Sequence, residues 1–186
     1  WLLVGLGTPG PEFAATRHNI GAMAADLLAE RVGARFARHK RAHADVVEGR
    51  LAATRVVVAK PRSYMNESGG PVKGLVDYYG VPLEQVVVLH DELDLPFEAL
   101  RLKLGGGDNG HNGLRSLRRS LGSGDFARVR LGIGRPPGRQ DPADYVLRPF
   151  GTTERKTLPL FCDRGADATE ALVAYGLTEA QNRFND

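Results

Sequence analysis

Val86-Val87-Val88-Leu89 leaves a strand no side to turn towards water, because four consecutive apolar residues replace the usual in-and-out alternation. Such a strand is central and covered on both faces, so the rest of the chain must supply layers above and below it. Leu2–Leu6 reads as another buried strand, the first of the chain. Val46–Leu51 and Val56–Ala59 read as two strands joined by a short turn. Leu100–Leu104 and Ala127–Ile133 alternate apolar with polar residues, as half-covered strands do.

Between these runs the period changes. Ile20, Met23, Ala24, Leu27, Leu28 and Val32 recur at helical spacing, with Asn19 as the expected cap. Val72, Leu75, Val76 and Tyr79 mark a second helix, closed by Gly80 and Pro82. Residues Asn112 to Leu121 form a third, and Thr153 to Tyr175 a fourth that contains Pro159. The alternation defines an α/β fold, expected as a single domain over residues 1–186.

The longest apolar runs are far too short to cross a bilayer, which excludes a membrane protein of helical type. No basic segment followed by an apolar stretch and a cleavage site opens the chain. It begins at Trp1 rather than Met, so a few further residues are expected ahead of it. The single cysteine, Cys162, rules out an internal disulfide framework and a multi-cysteine zinc site. These features together point to the cytoplasm. A net charge of +3 says little, but the cations cluster at Arg38–Arg41, Arg115–Arg119 and Arg128–Arg139. Solvated faces explain any one cluster; their recurrence beside glycine-rich loops favours a phosphate-bearing partner.

Two stretches, Gly5–Gly10 and Gly105–Gly110, match the dinucleotide pattern G-x-G-x-x-G. That pattern needs an acidic residue at the end of the following strand to hold a ribose. Asp26 and Glu30 fall inside a helix instead, and Asp125 precedes its strand, so a nicotinamide enzyme is not expected. No P-loop, no G-x-S-x-G and no H-E-x-x-H occurs. Cys162 lies on an apolar helix face and reads as packing. His90, Asp91 and Asp94 could ligate a cation, but neighbours on a continuing strand point apart.

A water nucleophile with an organic base remains. His18, between a glycine- and proline-rich turn and a helix start, is the candidate base, since an ordinary imidazole is largely neutral at pH 7. On the residues alone, a surface or capping histidine is the simpler reading. Asp91 ends the central strand, where ligand sites of open α/β sheets gather, and could hold an imidazole in one tautomer. It could equally be a turn residue. Asn66 and Asn112 stand beside glycine-rich turns and can bind peptide groups or an oxyanion without titrating, though Asn in turns is common. Arg101 and Lys103 share one strand face, as do Arg128 and Arg130; if the strands adjoin, four cations form a phosphate-sized patch. An ordinary solvated sheet face is the alternative.

The ordered set of blocks resembles the bacterial peptidyl-tRNA hydrolase family. The blocks are Val4–Gly10 with Thr16–Gly21, Lys60-Pro61 with Tyr64–Gly69, His90–Asp94, Lys103–Gly107, Gly110–Leu114, Arg128–Gly134 and Ala180–Arg183, and they span essentially the whole chain. The resemblance implies a monomer with a twisted mixed β-sheet flanked by helices. It further implies an esterase without metal or other cofactor, acting on peptidyl-tRNA and not on DNA or membranes. By that resemblance His18 activates water and Asp91 orients it, while Asn66, His111 and Asn112 bind the peptide and the tRNA 3′ end. Lys103 and Arg130 clamp the tRNA 5′ phosphate, and Phe13 and Tyr64 line the cleft.

The chain departs from the family's pattern at three positions. Thr8 stands where the family carries Asn, whose amide helps separate peptidyl-tRNA from free aminoacyl-tRNA, so discrimination or turnover is expected to differ. Phe13 replaces a usual Tyr, and Asn109 a usual Gly, with little effect expected from the latter. Two rival readings stay open: a non-catalytic RNA-binding paralogue, motivated by Thr8 and Phe13, and a metal-dependent hydrolase.

Overall fold

The structure, a computed structural model, describes residues 1–185. Seven strands form one sheet: β1 Leu2–Gly5, β2 Ala37–Arg38, β3 Ala44–Leu51, β4 Thr54–Pro61, β5 Val86–Glu92, β6 Leu100–Leu104 and β7 Ala127–Gly132. Their order is β2-β3-β4-β1-β5-β7-β6. The four central strands run parallel, and the outer pairings β2–β3, β3–β4 and β6–β7 are antiparallel. The sheet is therefore mixed, with β5 buried along its whole length: the apolar run Val86–Leu89 and also His90, Asp91 and Glu92 that follow it.

Six helices cover the sheet: α1 Ile20–Val32, α2 Gly69–Tyr79, α3 Asn112–Leu121, α4 Pro142–Val146, α5 Thr152–Tyr175 and α6 Leu177–Phe184. Two apolar clusters separate the layers. Leu3, Val58, Val87, Leu89 and Val129 pack with residues of α1 and α5 on one face. Leu2, Val4, Val57, Val86 and Val88 pack with residues of α2 and α3 on the other. Adjacent β-strand residues thus feed opposite cores. No helix among the described residues is long and apolar enough to cross a membrane.

Several bounds differ from the sequence expectation. β5 continues through His90 and Asp91 to Glu92, because β7 pairs with it along that length. α2 starts earlier, at Gly69. β2, α4 and α6 were not expected. β2 has only two residues, both exposed, too few to show a period. α4 did carry a signal, since the Asp141 side chain accepts from Ala143 N and Pro142 occupies the first turn. α6 begins directly after Gly176 and seals the β6 edge: Gln181 and Asn185 amides bond to the backbone of Leu102.

The chain leaves β1 on one side of the sheet to reach β4 and then crosses to β5 on the other. The carboxyl ends of β1 and β5 consequently flank a switch point, where open α/β sheets hold ligands. Two glycines allow α1 to dock tightly there. A Cβ at Gly21 would meet Leu89 O at 2.2 Å, and one at Gly5 would meet Gly21 O at 2.4 Å.

Candidate active site

His18 lies on a short 3-10 turn, Arg17–Asn19, immediately ahead of α1. Arg17 fixes that turn. Its N–H donates to Arg148 O at 3.0 Å, and its guanidinium stacks 4.1 Å above the Tyr145 ring and pairs with Glu154 at 3.0 Å. The close docking of α1 then carries the imidazole over the end of β5. There His18 Nδ1 lies 2.7 Å from Asp91 Oδ2. An ionised carboxylate only accepts, so Nδ1 carries the proton and Nε2 keeps its lone pair. The His18 side chain is 12% exposed and that of Asp91 2%.

The other Asp91 oxygen, Oδ1, accepts from His111 Nε2 at 2.8 Å. His111 is also the N-cap of α3: its Nδ1 accepts from Gly113 N at 3.1 Å and Leu114 N at 3.2 Å. Two N–H groups pointing at Nδ1 settle the tautomer, since only an unprotonated nitrogen accepts them. Burial opposes charging His18, but the charge and hydrogen bond of Asp91 outweigh it and raise the imidazole above its ordinary range. Burial likewise opposes ionising Asp91, yet the two histidines hold its carboxyl well below the usual carboxylate range.

Ligand atoms of His18, Asp91 and His111 lie within 4.8 Å of one another, close enough to consider a metal ion. A cation there would need the Nε2 lone pair of His111. That lone pair appears only if the proton moves to Nδ1, which already faces two backbone N–H donors. The donor set fits a hydrogen-bonded group better than a metal centre. Asp94 does not join it, being paired with Arg135 at 2.7 Å. His90 stays outside that group although its ring packs edge-on against His111, 5.3 Å between centroids: its Nδ1 donates to Asp91 O at 2.8 Å, and burial pushes the ring down to about 3.

His18, Asp91, His111 and Asn112 line a cleft of about 140 Å³, closed on one side by Pro142, Ala143 and Val146 of α4. Asn112, exposed, opens α3. Asn66 is exposed on the 3-10 turn Met65–Glu67. That turn docks against the start of α3, where the Met65 sulfur is 2.7 Å from a Cβ built at Gly113. Tyr64, beside it, is 68% exposed. Phe13 is half-buried in the turn before His18, where its carbonyl accepts from the Thr16 hydroxyl at 2.8 Å.

Thr8 is placed differently. It lines a neighbouring cleft of about 230 Å³ with Asp26 and Lys60, which pair with each other at 2.6 Å. Asn19, expected to cap α1, makes no such bond. Its amide grips the backbone of Thr8 instead, accepting from Thr8 N and donating to Thr8 O, both at 2.9 Å. Asp26, the acidic residue that follows the first glycine motif, lies on α1 and is tied to Lys60 of β4. Cys162 is buried, which pushes its thiol up to about 12 and leaves it a packing residue.

The cationic patch is smaller than the spacing implied. β6 and β7 do adjoin, with Arg101 opposite Arg130 and Lys103 opposite Arg128. Arg128, however, is 3% exposed and bonds inward to carbonyls, so it is not a surface cation. Arg130 is held by Glu92, with Nε at 3.1 Å and Nη2 at 3.0 Å from Oε1. Arg101 and Lys103 are exposed, and Lys103 has no ion-pair partner among the described residues. Sequence reasoning missed Arg17, Glu92 and the α4 wall; Asp141-Pro142 was the one available signal.

A mixed α/β sheet bearing an imidazole–carboxylate pair at its switch point is the arrangement of an α/β protein equipped for acid–base chemistry. A family model described as peptidyl-tRNA hydrolase matches residues 2–186, and the chain belongs to that family. Among its relatives, the peptidyl-tRNA hydrolase of Streptomyces coelicolor is 62% identical, over 100% of this chain and 94% of that protein. That of Mycobacterium avium is 59% identical, over 99% and 96%. The crystal structure of peptidyl-tRNA hydrolase from Acinetobacter baumannii superposes with a TM-score of 0.92 at 34% identity, covering 99% of this chain and 93% of that one.

Proposed function

We propose that residues 1–186 act as one domain that hydrolyses the ester joining a peptide to its tRNA, with His18 as the general base. The observation that carries this reading is the 2.7 Å contact between His18 Nδ1 and Asp91 Oδ2, which leaves Nε2 free to take a proton. Water attacks the ester carbonyl as Nε2 removes its proton; Asp91 stabilises the imidazolium so formed. The tetrahedral intermediate collapses, the ribose 3′ oxygen leaves, and the imidazolium returns the proton to it. Free peptide and tRNA result, and the base is regenerated. Asn66 and Asn112 hold the peptide amide and the developing oxyanion, a role their exposure beside the start of α3 supports.

Lys103 and Arg130, on neighbouring strands, take the tRNA 5′ phosphate; Tyr64 and Phe13 border the path to the dyad. Every group named belongs to one chain, so a monomer suffices. A substrate made by ribosomes places the activity in the cytoplasm. Release of N-acetylated amino acid from tRNA tests the reading. His18→Ala should lose roughly 10²–10⁴-fold in rate. Absence of turnover in the unchanged protein with tRNA binding intact would make it a binding paralogue; loss of activity in chelator would restore the metal reading.

A further inference from the structure

Arg128 is buried, and no carboxylate among the described residues pairs with its guanidinium. Nη2 donates to Gly106 O at 2.9 Å and Gly124 O at 3.1 Å, Nη1 donates to Gly107 O, and the group stacks 4.7 Å from the Phe126 ring. Burying a charge on carbonyls alone is costly unless the contacts serve something else. Its neighbours deepen the cost: burial, then Arg118 and Arg130, hold its guanidinium below the usual range.

What these carbonyls belong to is informative. Gly105 and Gly106 have φ of +69° and +103°, a path that side chains resist and glycine takes at no steric cost, so bonds to Arg128 restrict a backbone that its own sequence leaves free. Lys103 lies directly opposite Arg128 across β6 and β7. A Cβ at Gly106 would meet Lys103 Nζ at 2.9 Å and Cε at 3.1 Å, so the lysine stem rests on the bare backbone of that glycine. The far end of the loop is secured separately, by Gly110 N on Asp108 Oδ1 at 3.0 Å and His111 N on Asp108 O at 2.8 Å.

We infer that Arg128 is a positioning residue for tRNA recognition: its guanidinium anchors the Gly106–Gly107 backbone as a seat for the Lys103 ammonium. Because carbonyls and not a carboxylate take the Nη groups of Arg128, its hold on the loop adds no negative charge beside the phosphate site. The inference rests on the reading of Lys103 and Arg130 as a 5′-phosphate clamp. It differs from that reading in assigning no substrate contact to Arg128.

The test compares N-acetylaminoacyl-tRNA carrying a 5′ phosphate with the same tRNA dephosphorylated, in the unchanged protein, Arg128→Lys and Arg128→Met. Charge-assisted contacts give the unchanged protein a kcat/KM ratio of about tenfold or more in favour of the phosphate. The ratio is expected to fall towards one in both folded variants, through KM, with hydrolysis of the dephosphorylated substrate unchanged. A retained ratio overturns the inference. So does an equal loss on both substrates, or failure of both variants to fold, since either assigns Arg128 to the core. A ratio near one in the unchanged protein instead removes the phosphate clamp itself, and the inference with it.

Discussion

Asp91 and His111 meet at 2.8 Å, Oδ1 to Nε2, while the other ring nitrogen of His111 caps α3. One side chain thereby serves the carboxylate and a helix end, and substitution can separate the two. His111→Asn keeps a capping oxygen but lacks the reach to Asp91; His111→Ala loses both. Both variants should lose about 10–100-fold in hydrolysis, as lost orienting partners do. Only the alanine variant should also lose about 1 kcal/mol of stability. Thermal melts run beside rate measurements check this, and equal melting losses would count against the capping role.

The activity should climb with pH. His18 works as a base only when neutral, and its Asp91 partner raises it above 6.5, so half-maximal kcat/KM is expected above pH 6.5. In Asp91→Asn the charge is gone while burial, which lowers the imidazole, remains. The midpoint should therefore move down as the rate falls by about 10²–10⁴-fold. Stability runs the opposite way: a folded-state value above the unfolded one gives stabilisation that is complete below pH 6.5 and lost as pH rises through the folded value. A pH–rate profile of both proteins decides; an unmoved midpoint removes Asp91 as the cause.

Asn19 occupies both backbone polar groups of Thr8. Any recognition at this position then depends on the side chain, where a single hydroxyl stands in place of an amide. Thr8→Asn is expected to raise the preference for N-blocked over unblocked aminoacyl-tRNA several-fold, about what one hydrogen bond of 0.5–1.5 kcal/mol yields. Competition between the two substrates measures it. An unchanged preference takes Thr8 out of discrimination.

The hairpin between β3 and β4 turns on Ala52 and Ala53, with φ of +50° and +62°. Two residues in this region suit a tight hairpin but are strained for alanine. Replacing the pair by Asn-Gly should add about 1–2 kcal/mol with no change in hydrolysis, since the turn is exposed and lies at the end of the sheet opposite the dyad. Urea unfolding gives the value; no gain would mean that the turn carries no strain.

The sequence pattern was readable where burial is one-dimensional. Val86–Leu89, the α1 stripe and the alternating β7 run each declare a period, and the sheet follows from them. Asn19 misled because cap preference is statistical, whereas its amide had a better partner eleven residues back in Thr8. Arg128 misled because strand alternation says which face a side chain takes but not whether a loop folds over it. α4 and β2, with five and two residues, are too short for a period to emerge.

Sequence by itself settled the α/β class, the family and the residue types that could activate water, since hydrophobic periodicity and ordered motifs are properties of the chain in one dimension. Tertiary structure alone decided that His18 and Asp91, 73 residues apart, share a hydrogen bond, that His111 completes the arrangement, and that Arg128 turns inward. The reason is physical: hydrogen-bond partners and desolvation depend on which segments the sheet order brings together, and no local pattern encodes that distance.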